Sequence, residues 1–276
     1  MSAAENFLSE VLEAFDFGAP VVGAMRYGCG HINDTFCVHT QPADYACRCF
    51  ILQRMSSAAF KRPDQLMSNI IGVTEFLGNK ITAAGGDRSR EAMEVIRPKN
   101  GEPYYTDSEG GAWRVYPFIE RARTYDMIEN PGQCVEVARA FGNFQKLGAN
   151  LPGAPLFETI PDFHNTTKRF QNFQKAIAAD PLGRAKDVQK EIDWYLSREA
   201  DCHKVVNYLA SGELPLRVTH NDTKLNNVLL DKATRKSLCV LDLDTVMPGL
   251  SLYDFGDSIR FGAATAAEDE PDTSKM

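Results

Sequence analysis

The stretch Arg217–Asp244 reads RVTHNDTKLNNVLLDKATRKSLCVLDLD and carries most of the information about the fold of this chain. It places His220 two residues before Asp222, and Asn227 five residues after that aspartate. A short apolar run follows, then a polar segment, then a second apolar run that ends in two further aspartates. Short apolar runs on either side of a polar turn predict a β-hairpin. Polar side chains therefore flank the open end of this hairpin.

Pairing across the hairpin predicts which polar side chains lie together. If Leu230 pairs near Cys239, antiparallel pairing places Asn227 opposite Asp242. An amide oxygen and a carboxylate then lie side by side, with the Asp222 carboxylate one loop away. Such oxygen ligands suit Mg²⁺ that is also bound by water and substrate phosphates, and the remaining aspartate can accept a proton from a hydroxyl. This arrangement is typical of a phosphotransferase. The alternative is that Asp222 and Asn227 cap turns and Asp242 ends a strand.

The motif His220-x-Asp222-x4-Asn227, followed by a strand and Leu-Asp, resembles the aminoglycoside phosphotransferase and choline kinase superfamily, which is related to the protein kinases. The longer strings THNDTKLNNVLLD, CVLDLDTVMPG and YDFGDSIRFGA more closely resemble the N-acetylhexosamine 1-kinases. The resemblance covers most of the chain, from YGCGHINDTF to Arg260. It implies phosphorylation of the anomeric hydroxyl of N-acetylglucosamine or N-acetylgalactosamine by ATP.

The resemblance also implies roles for individual residues. Asp222 would be the catalytic base, and Asn227 and Asp242 would be the Mg²⁺ ligands. Thr223, next to the base, would lie within reach of the sugar. Two other functions remain open from the sequence. One is another small-molecule kinase, acting on an amino alcohol or an aminoglycoside, and the other is a nucleotide-binding protein without turnover.

Two further groups of polar residues follow the hairpin. Asp244 and Thr245 project from the same end as Asp242, so we expect them to bind substrate. The run Asp254-Phe255-Gly256 spells the metal-binding motif of protein kinases, but the metal aspartate should directly follow the strand that returns from Asn227. We therefore predict that Asp254 is structural and lies near the N-terminus of the next helix.

The pattern along the chain predicts an α+β protein with a bilobal, protein-kinase-like fold. Residues 1–119 would form a small five-stranded nucleotide-binding lobe, and residues 120–276 a mainly helical catalytic and substrate lobe. Strands are predicted at Val21–Arg26, Thr35–Thr40, Tyr45–Gln53, Met93–Arg97 and Ala112–Ile119. Helices are predicted at Ala3–Phe15, Asp64–Ile81, Gln133–Leu147, Thr166–Ala178 and Lys186–Ala210. Because the family resemblance implies further helices after Arg260, we expect the second lobe to be incomplete at its C-terminus.

A glycine-containing turn between the first two strands is a candidate nucleotide site. Gly28 and Gly30 would let backbone N–H groups approach phosphates without obstruction by a side chain. A simple hairpin turn is the alternative. His31 follows them, and it would either reach a phosphate or belong to the turn.

The third predicted strand lacks the lysine with which protein kinases contact the α- and β-phosphates. Arg54 and Gln53 are the candidate substitutes, and the sequence does not decide between them. The segment Val115–Ile119, including Phe118, ends the last strand of the small lobe and would form the hinge beneath adenine.

Composition and charge exclude several classes of function. The 276 residues include 30 Lys and Arg against 37 Asp and Glu, a net charge of −7, which gives no electrostatic footprint for a nucleic acid. No apolar run approaches the roughly 18 residues that a membrane span needs. The N-terminal residues lack the basic-then-apolar order of a secretory signal.

Cysteine usage indicates a reducing compartment. The seven cysteines are odd in number and show no framework spacing, so we expect a cytoplasmic protein without disulfides. Cys47 and Cys49 alternate in a predicted strand and would face the same side of the sheet. They are candidate metal ligands, but because no second Cys or His pair completes a site in the pattern, we interpret them as buried thiols.

Overall fold

Five strands from the first half of the chain form one antiparallel sheet. The computed structural model of the chain describes residues 3–28, 32–42, 48–151, 156–263, 270 and 272. The strands are β1 (Val21–Arg26), β2 (Asp34–Thr40), β3 (Arg48–Met55), β4 (Tyr105–Thr106) and β5 (Ala112–Pro117). They pair in the order β1-β2-β3-β5-β4. The predicted five-stranded sheet of a kinase-like α+β fold is thus confirmed.

The strand predicted at Met93–Arg97 is wrong. In this segment only Ile96 pairs with the sheet, through an N–H that donates to the Val115 carbonyl at 2.9 Å. Pro98 follows and has no N–H, so it cannot donate to a continued ladder. The fourth strand is instead the short β4, which the turn Asp107–Gly111 joins to β5.

Helices cover both faces of the sheet and make up most of the second half. In chain order they are α1 (Ala3–Glu13), α2 (Pro63–Ala83), α3 (Arg88–Glu91), α4 (Pro131–Gly148), α5 (Thr166–Ala179), α6 (Gln189–Leu196), α7 (Glu199–Ser211) and α8 (Ser251–Gly262). None of those in the described part of the chain is both long and apolar enough to cross a membrane.

The core on one face of the sheet extends into the second half of the chain. Leu66, Ile70 and Leu77 recur at helical spacing on α2 and are buried. They share one apolar cluster with Leu243 and Val246, which follow the predicted hairpin. Because α2 packs against the sheet as well as against Leu243 and Val246, it fixes the sheet relative to the region that contains Asp242 and Asp244. The opposite face of the sheet packs separately, against α1.

The long helix predicted at Lys186–Ala210 is divided. A short 3₁₀ turn precedes α6, which ends at Leu196, and α7 begins at Glu199. Near the break the Ser197 hydroxyl donates to the Trp194 carbonyl at 2.7 Å. A serine hydroxyl bound to a helix carbonyl competes with the backbone and favours an interruption, which periodicity alone does not detect.

Two small sheets hold the region around the hairpin. The first contains β6 (Ala122–Arg123), β8 (Val228–Asp231) and β9 (Ser237–Val240) in the order β6-β8-β9. The second pairs β7 (Arg217–Thr219) with β10 (Met247–Gly249). The loop that carries Asp222 therefore begins and ends at paired strands. The boundary between two lobes at residue 119 stays a prediction.

Candidate functional site

The β8–β9 hairpin forms as predicted, but its register differs by one residue. Leu229, not Leu230, pairs with Cys239, and a bulge between Leu229 and Leu230 shifts the ladder. The Asn227 carbonyl accepts the N–H of Leu241 at 2.8 Å. Asn227 therefore lies opposite Leu241, and the predicted pairing of Asn227 with Asp242 is wrong.

Asp242 leaves the strand direction at this point. Its φ of 52° and ψ of 66° are left-handed values, which aspartate tolerates better than most residues. The chain then makes a 3₁₀ turn over Leu243–Thr245. We call residues 241–245 the aspartate loop. Solvent reaches the Asp242 side chain, whereas Asp244 is buried.

His220 acts as a support for the loop that follows it. The ring is fully buried against Phe141 and Phe144, with ring centroids 5.2 and 5.7 Å away. Its Nε2 lies 2.8 Å from the Leu241 carbonyl, and its Nδ1 accepts the Asp222 N–H at 3.3 Å. This network assigns the proton to Nε2. His220 thus ties the backbone of Asp222 to the aspartate loop.

Asp254 fixes the same loop from the other side. As predicted, it lies in the first turn of a helix, α8. Its buried carboxylate accepts the backbone N–H groups of His220 at 3.0 Å and Asn221 at 2.7 Å, and the Gln145 amide at 2.8 Å. Asn221 has a positive φ of 67°. The downstream Asp-Phe-Gly run therefore holds the backbone before Asp222.

Asp222 presents a carboxylate that is oriented but accessible. The Asn227 amide donates to the Asp222 carbonyl at 2.8 Å and to Oδ2 at 3.1 Å. Nζ of Lys224 lies 3.3 Å from Oδ1, and about a quarter of the Asp222 side chain, 23%, is exposed. Lys224 was missed by the sequence interpretation, although its position two residues after Asp222 was visible. The Asp222 carboxylate can therefore accept a proton while the Lys224 ammonium lies beside it.

A buried arginine on β5 connects the sheet to the aspartate loop. The Arg114 guanidinium donates to both carboxylate oxygens of Asp244, at 2.5 and 2.9 Å, and twice to the Gln53 amide oxygen, at 3.0 and 2.9 Å. Nδ2 of Asn33 also donates to Asp244 at 2.7 Å. Burial by itself would lower the pKa of Arg114, but the Asp244 carboxylate raises it above its ordinary value. The group therefore stays charged.

The position of Arg114 bears on the missing third-strand lysine. Gln53 lies opposite Arg114 in the sheet, so a cation stands next to the expected position, on the neighbouring strand. Arg54 points to the other face, because neighbouring strand residues alternate. There it lies 4.0 Å from Asp107 and 3.8 Å from Glu109. The structure therefore does not bring Arg54 to the aspartates.

Of the remaining nucleotide candidates, Phe118 lies at the other end of the sheet, whereas Gly28 follows β1 at the same end as Gln53. The Phe118 N–H donates to the Cys49 carbonyl at 3.0 Å, and the Phe118 ring meets Tyr27 edge-on at 5.8 Å. Gly28 has a φ of 78°, which favours glycine at the start of the turn. Gly30 and His31 lie outside the described residues.

The three candidate sugar ligands have intramolecular partners. Thr223 is buried, and its hydroxyl contacts the Asp254 carbonyl at 2.8 Å and Asp257 at 3.2 Å. The Thr245 hydroxyl donates to the His220 carbonyl at 2.7 Å, and Asp244 is held by Arg114 as described. These contacts stabilise the loops around Asp222, and direct binding of a sugar by these residues stays a prediction.

The chemistry of Asn227 and Asp242 suits a divalent cation. The Asn227 amide nitrogen is directed to Asp222, so the amide oxygen points to the opposite side. Partial loss of hydration, followed by the neighbouring Asp244 carboxylate, raises the pKa of the Asp242 carboxyl above its ordinary value. A cation beside Asp242 would relieve this repulsion. Carboxylate and amide oxygens are ligands that Mg²⁺ accepts together with water and phosphate.

Comparisons with known proteins bear on the fold and the family of this chain. The phosphotransferase APH(2")-IIia, solved with GDP and kanamycin, shares 11% identity at a TM-score of 0.58 and covers 93% of this chain and 78% of its own. The choline kinase LicA from Streptococcus pneumoniae shares 14% at 0.56, covering 96% and 77%. A spectinomycin phosphotransferase solved with ADP and spectinomycin shares 13% at 0.52, covering 98% and 82%. At these identities the structures show a common fold alone. Residues 29–273, however, match the family of phosphotransferase enzymes named APH, and this chain therefore belongs to that family.

Proposed function

We propose that this phosphotransferase transfers the γ-phosphoryl group of ATP, with Mg²⁺, to the anomeric C1 hydroxyl of an N-acetylhexosamine. The products would be the sugar 1-phosphate and ADP. The observation that carries the proposal is the accessible Asp222 carboxylate, held by Asn227 and Lys224 beside the aspartate loop. The choice of sugar rests on the strings THNDTKLNNVLLD and CVLDLDTVMPG, which resemble N-acetylhexosamine 1-kinases.

Asp222 is the proposed general base. The C1 hydroxyl would donate a hydrogen bond to Asp222 and lose its proton to the carboxylate while its oxygen attacks the γ-phosphorus. The bond between that phosphorus and the bridging oxygen breaks, and ADP leaves. Because an anomeric hydroxyl is more acidic than an ordinary alcohol, a carboxylate base suffices without a tuned histidine. This agrees with His220, whose two ring nitrogens are engaged in supporting the loop.

Two cationic groups would balance the phosphate charge. Lys224, which contacts Asp222, would lie next to the phosphoryl group during transfer, where a fixed charge stabilises the transition state. Mg²⁺ held by Asn227 and Asp242 would neutralise charge on the transferring phosphoryl group. Arg114 would act indirectly, since its contact with Asp244 keeps the aspartate loop against the sheet.

The proposed nucleotide site uses the end of the sheet near Phe118 and the turn that begins at Gly28. Gly30 and His31, which follow it in the sequence, would contact phosphates. Nucleotide-bound relatives of this fold support ATP as the co-substrate. We also propose a cytoplasmic location, on the basis of the cysteine pattern and the need for ATP.

A substrate comparison tests the proposal. Measured with the purified chain, kcat/KM for N-acetylglucosamine and N-acetylgalactosamine should exceed that for glucose and galactose. Loss of one buried amide contact costs roughly 1–3 kcal/mol, so we expect a difference of about 5- to 150-fold. NMR of the product should place the phosphate on C1.

Other outcomes of the same experiment would contradict the proposal in different ways. Equal activity on acetylated and plain sugars would show that the protein is not specific for N-acetylhexosamines. Activity only on choline or an aminoglycoside would assign another kinase of the same fold. Tight ATP binding without transfer to any of these acceptors would indicate a nucleotide-binding protein without turnover.

A further inference from the structure

A cluster of two cysteines and one histidine lies on β2 and β3, apart from the aspartates. His39 pairs directly opposite Cys49 in the sheet, and Cys37 is two residues before His39, so all three project from one face. Their ligand atoms lie within 4.8 Å of one another. Sγ of Cys49 is 3.3 Å from Nδ1 of His39. Two soft sulfur atoms and an imidazole nitrogen thus converge on one point.

The cluster contains the further Cys and His ligands that the sequence pattern did not show for Cys49. We interpreted that residue as a buried thiol because no second Cys or His pair was visible. Strand pairing brings in Cys37 and His39, which are ten or more residues away in sequence. The Cys37–His39 pair therefore comes from the neighbouring strand. Cys47, the partner of Cys49 in the sequence pattern, lies outside the described residues.

The cluster lies on the face of the sheet that also carries Gln53 and Arg114. Cys49 and Gln53 project from the same face of β3, and Gln53 contacts Arg114, which binds Asp244. The Cys49 carbonyl also accepts the N–H of Phe118, the proposed hinge residue.

The spacing of the three ligand atoms fits a tetrahedral cation. Bonds of about 2.3 Å to sulfur and about 2.0 Å to nitrogen require a sulfur–nitrogen separation of roughly 3.5 Å and a sulfur–sulfur separation of roughly 3.8 Å. The observed 3.3 Å between Cys49 and His39 is close to the first value. Because the ligand atoms lie within 4.8 Å of one another, a small side-chain rotation would bring the two sulfur atoms to the separation that the cation requires. Thiolate and imidazole ligands select zinc over magnesium.

We propose that Cys37, His39 and Cys49 form a binding site for a thiophilic divalent cation of the Zn²⁺ class on the face of the sheet that carries Gln53 and Arg114. Binding would deprotonate both thiols and release two protons to solvent, with neutral His39 donating its Nδ1 lone pair to the cation. A fourth coordination position remains for water or another ligand. None of these ligands belongs to the Asn227 and Asp242 pair proposed for Mg²⁺.

Zinc titration of the intact chain tests the site. We expect the metal-free protein to take up one tightly bound equivalent of Zn²⁺, measured against a chromophoric chelator. Cys49→Ser and His39→Gln should each weaken this binding by at least the roughly 10–100-fold that loss of even an outer-shell partner causes. Cys134→Ser is the matched control, because Cys134 is exposed on α4, and it should bind Zn²⁺ like the wild type. Co²⁺ should give a thiolate charge-transfer absorption that Cys49→Ser reduces.

Three results would overturn the proposal: no tight equivalent in the wild type, unchanged binding in Cys49→Ser, or an equal loss in Cys134→Ser. Cys49 and His39 are only half-buried, and the melting temperatures of the metal-free variants should stay near that of the wild type. If one variant unfolds, the other still tests the site. The experiment contains no nucleotide or sugar, so its failure would leave the kinase proposal untouched.

Discussion

Asp222 is oriented before any substrate binds, because Asn227 and Lys224 contact its two carboxylate oxygens. Asp222→Asn keeps the shape of the side chain but removes its ability to accept a proton. We expect turnover to fall by about 10²-fold or more, as for loss of a general base, with little change in ATP affinity. Steady-state kinetics and calorimetric ATP titration measure the two quantities. A folded variant with wild-type turnover would exclude Asp222 as the base.

Asp242 and Asp254 make a discriminating pair at the residue scale. Asp242→Ala should abolish Mg²⁺-dependent nucleotide binding, and it should not lower stability at neutral pH, because the raised pKa of Asp242 shows that its charge is disfavoured in the fold. Asp254→Ala leaves the N–H groups of His220 and Asn221 without their acceptor, which costs roughly 1–3 kcal/mol each. Urea unfolding and nucleotide titration of both variants separate the two roles. Exchanged phenotypes would move the metal site to Asp254.

At the scale of elements, Glu136 joins α4 to β9. It accepts the Ser237 N–H at 3.0 Å and the Lys236 ammonium at 3.0 Å. The Ser237 hydrogen bond, together with Lys236 and Arg139, lowers the pKa of Glu136 from 4.5 to about 2. Because the folded-state pKa is the lower one, this stabilisation is present above about pH 4.5 and is lost as the pH falls towards 2.

We therefore expect Glu136→Gln to be less stable than the wild type at pH 7 by roughly 1–3 kcal/mol, the cost of losing a charged acceptor. The difference in the free energy of unfolding should shrink as the pH falls below 4.5, in urea titrations at a series of pH values. Glu75→Gln, on the exposed surface of α2, is the control and should change little. A difference that stays constant from pH 7 to pH 3 would contradict the assignment.

The elements also show what local patterns can predict. Helix α2 was placed within two residues of its observed ends because its buried residues repeat at helical spacing. Asp222 and Asn227 were placed together because only a short loop separates them. The predicted β8–β9 register was wrong by one residue. A bulge adds a residue to one strand, and a period-two sequence pattern does not reveal it. The Met93–Arg97 segment alternates like a strand but makes only one bridge.

Arg114 could not have been identified in the same way. Its contact with Asp244 spans 130 residues, so no local spacing encodes it. The signal that was present is a single arginine within the otherwise apolar strand WRVYP, where a buried charge needs a partner. We expected a cation on the third strand, and the structure places Arg114 on the neighbouring strand, opposite Gln53.

At the scale of the whole molecule, two buried contacts connect the sheet and α2 to the chain after the hairpin. Arg114 binds Asp244, and the Asn69 amide on α2 donates to the Val246 carbonyl at 3.0 Å across 177 residues. Both contacts reach the region of the aspartate loop. Its position relative to the sheet therefore depends on polar groups that are largely removed from water, where pairing matters most.

A double-mutant cycle on Arg114 and Asp244 tests this connection. Either single change, Arg114→Met or Asp244→Asn, leaves one buried charge without its partner and should cost roughly 3–5 kcal/mol in urea unfolding. The double variant leaves neither charge, so its loss should be clearly smaller than the sum of the two. The exposed pair Arg26 and Asp34 is the matched control, with an expected coupling of about 0–1 kcal/mol.

The same variants show whether the connection serves the site as well as the fold. If Arg114 holds the aspartate loop in place, the double variant should bind Mg²⁺-dependent nucleotide more weakly than the wild type even where most of its stability is regained. Asp242 would keep its carboxylate but lose its fixed distance from the sheet. Additive single effects would mean that the two charges are stabilised independently. Full nucleotide affinity in a folded double variant would show that the apolar contacts of α2 with Leu243 and Val246 position the loop without the ion pair.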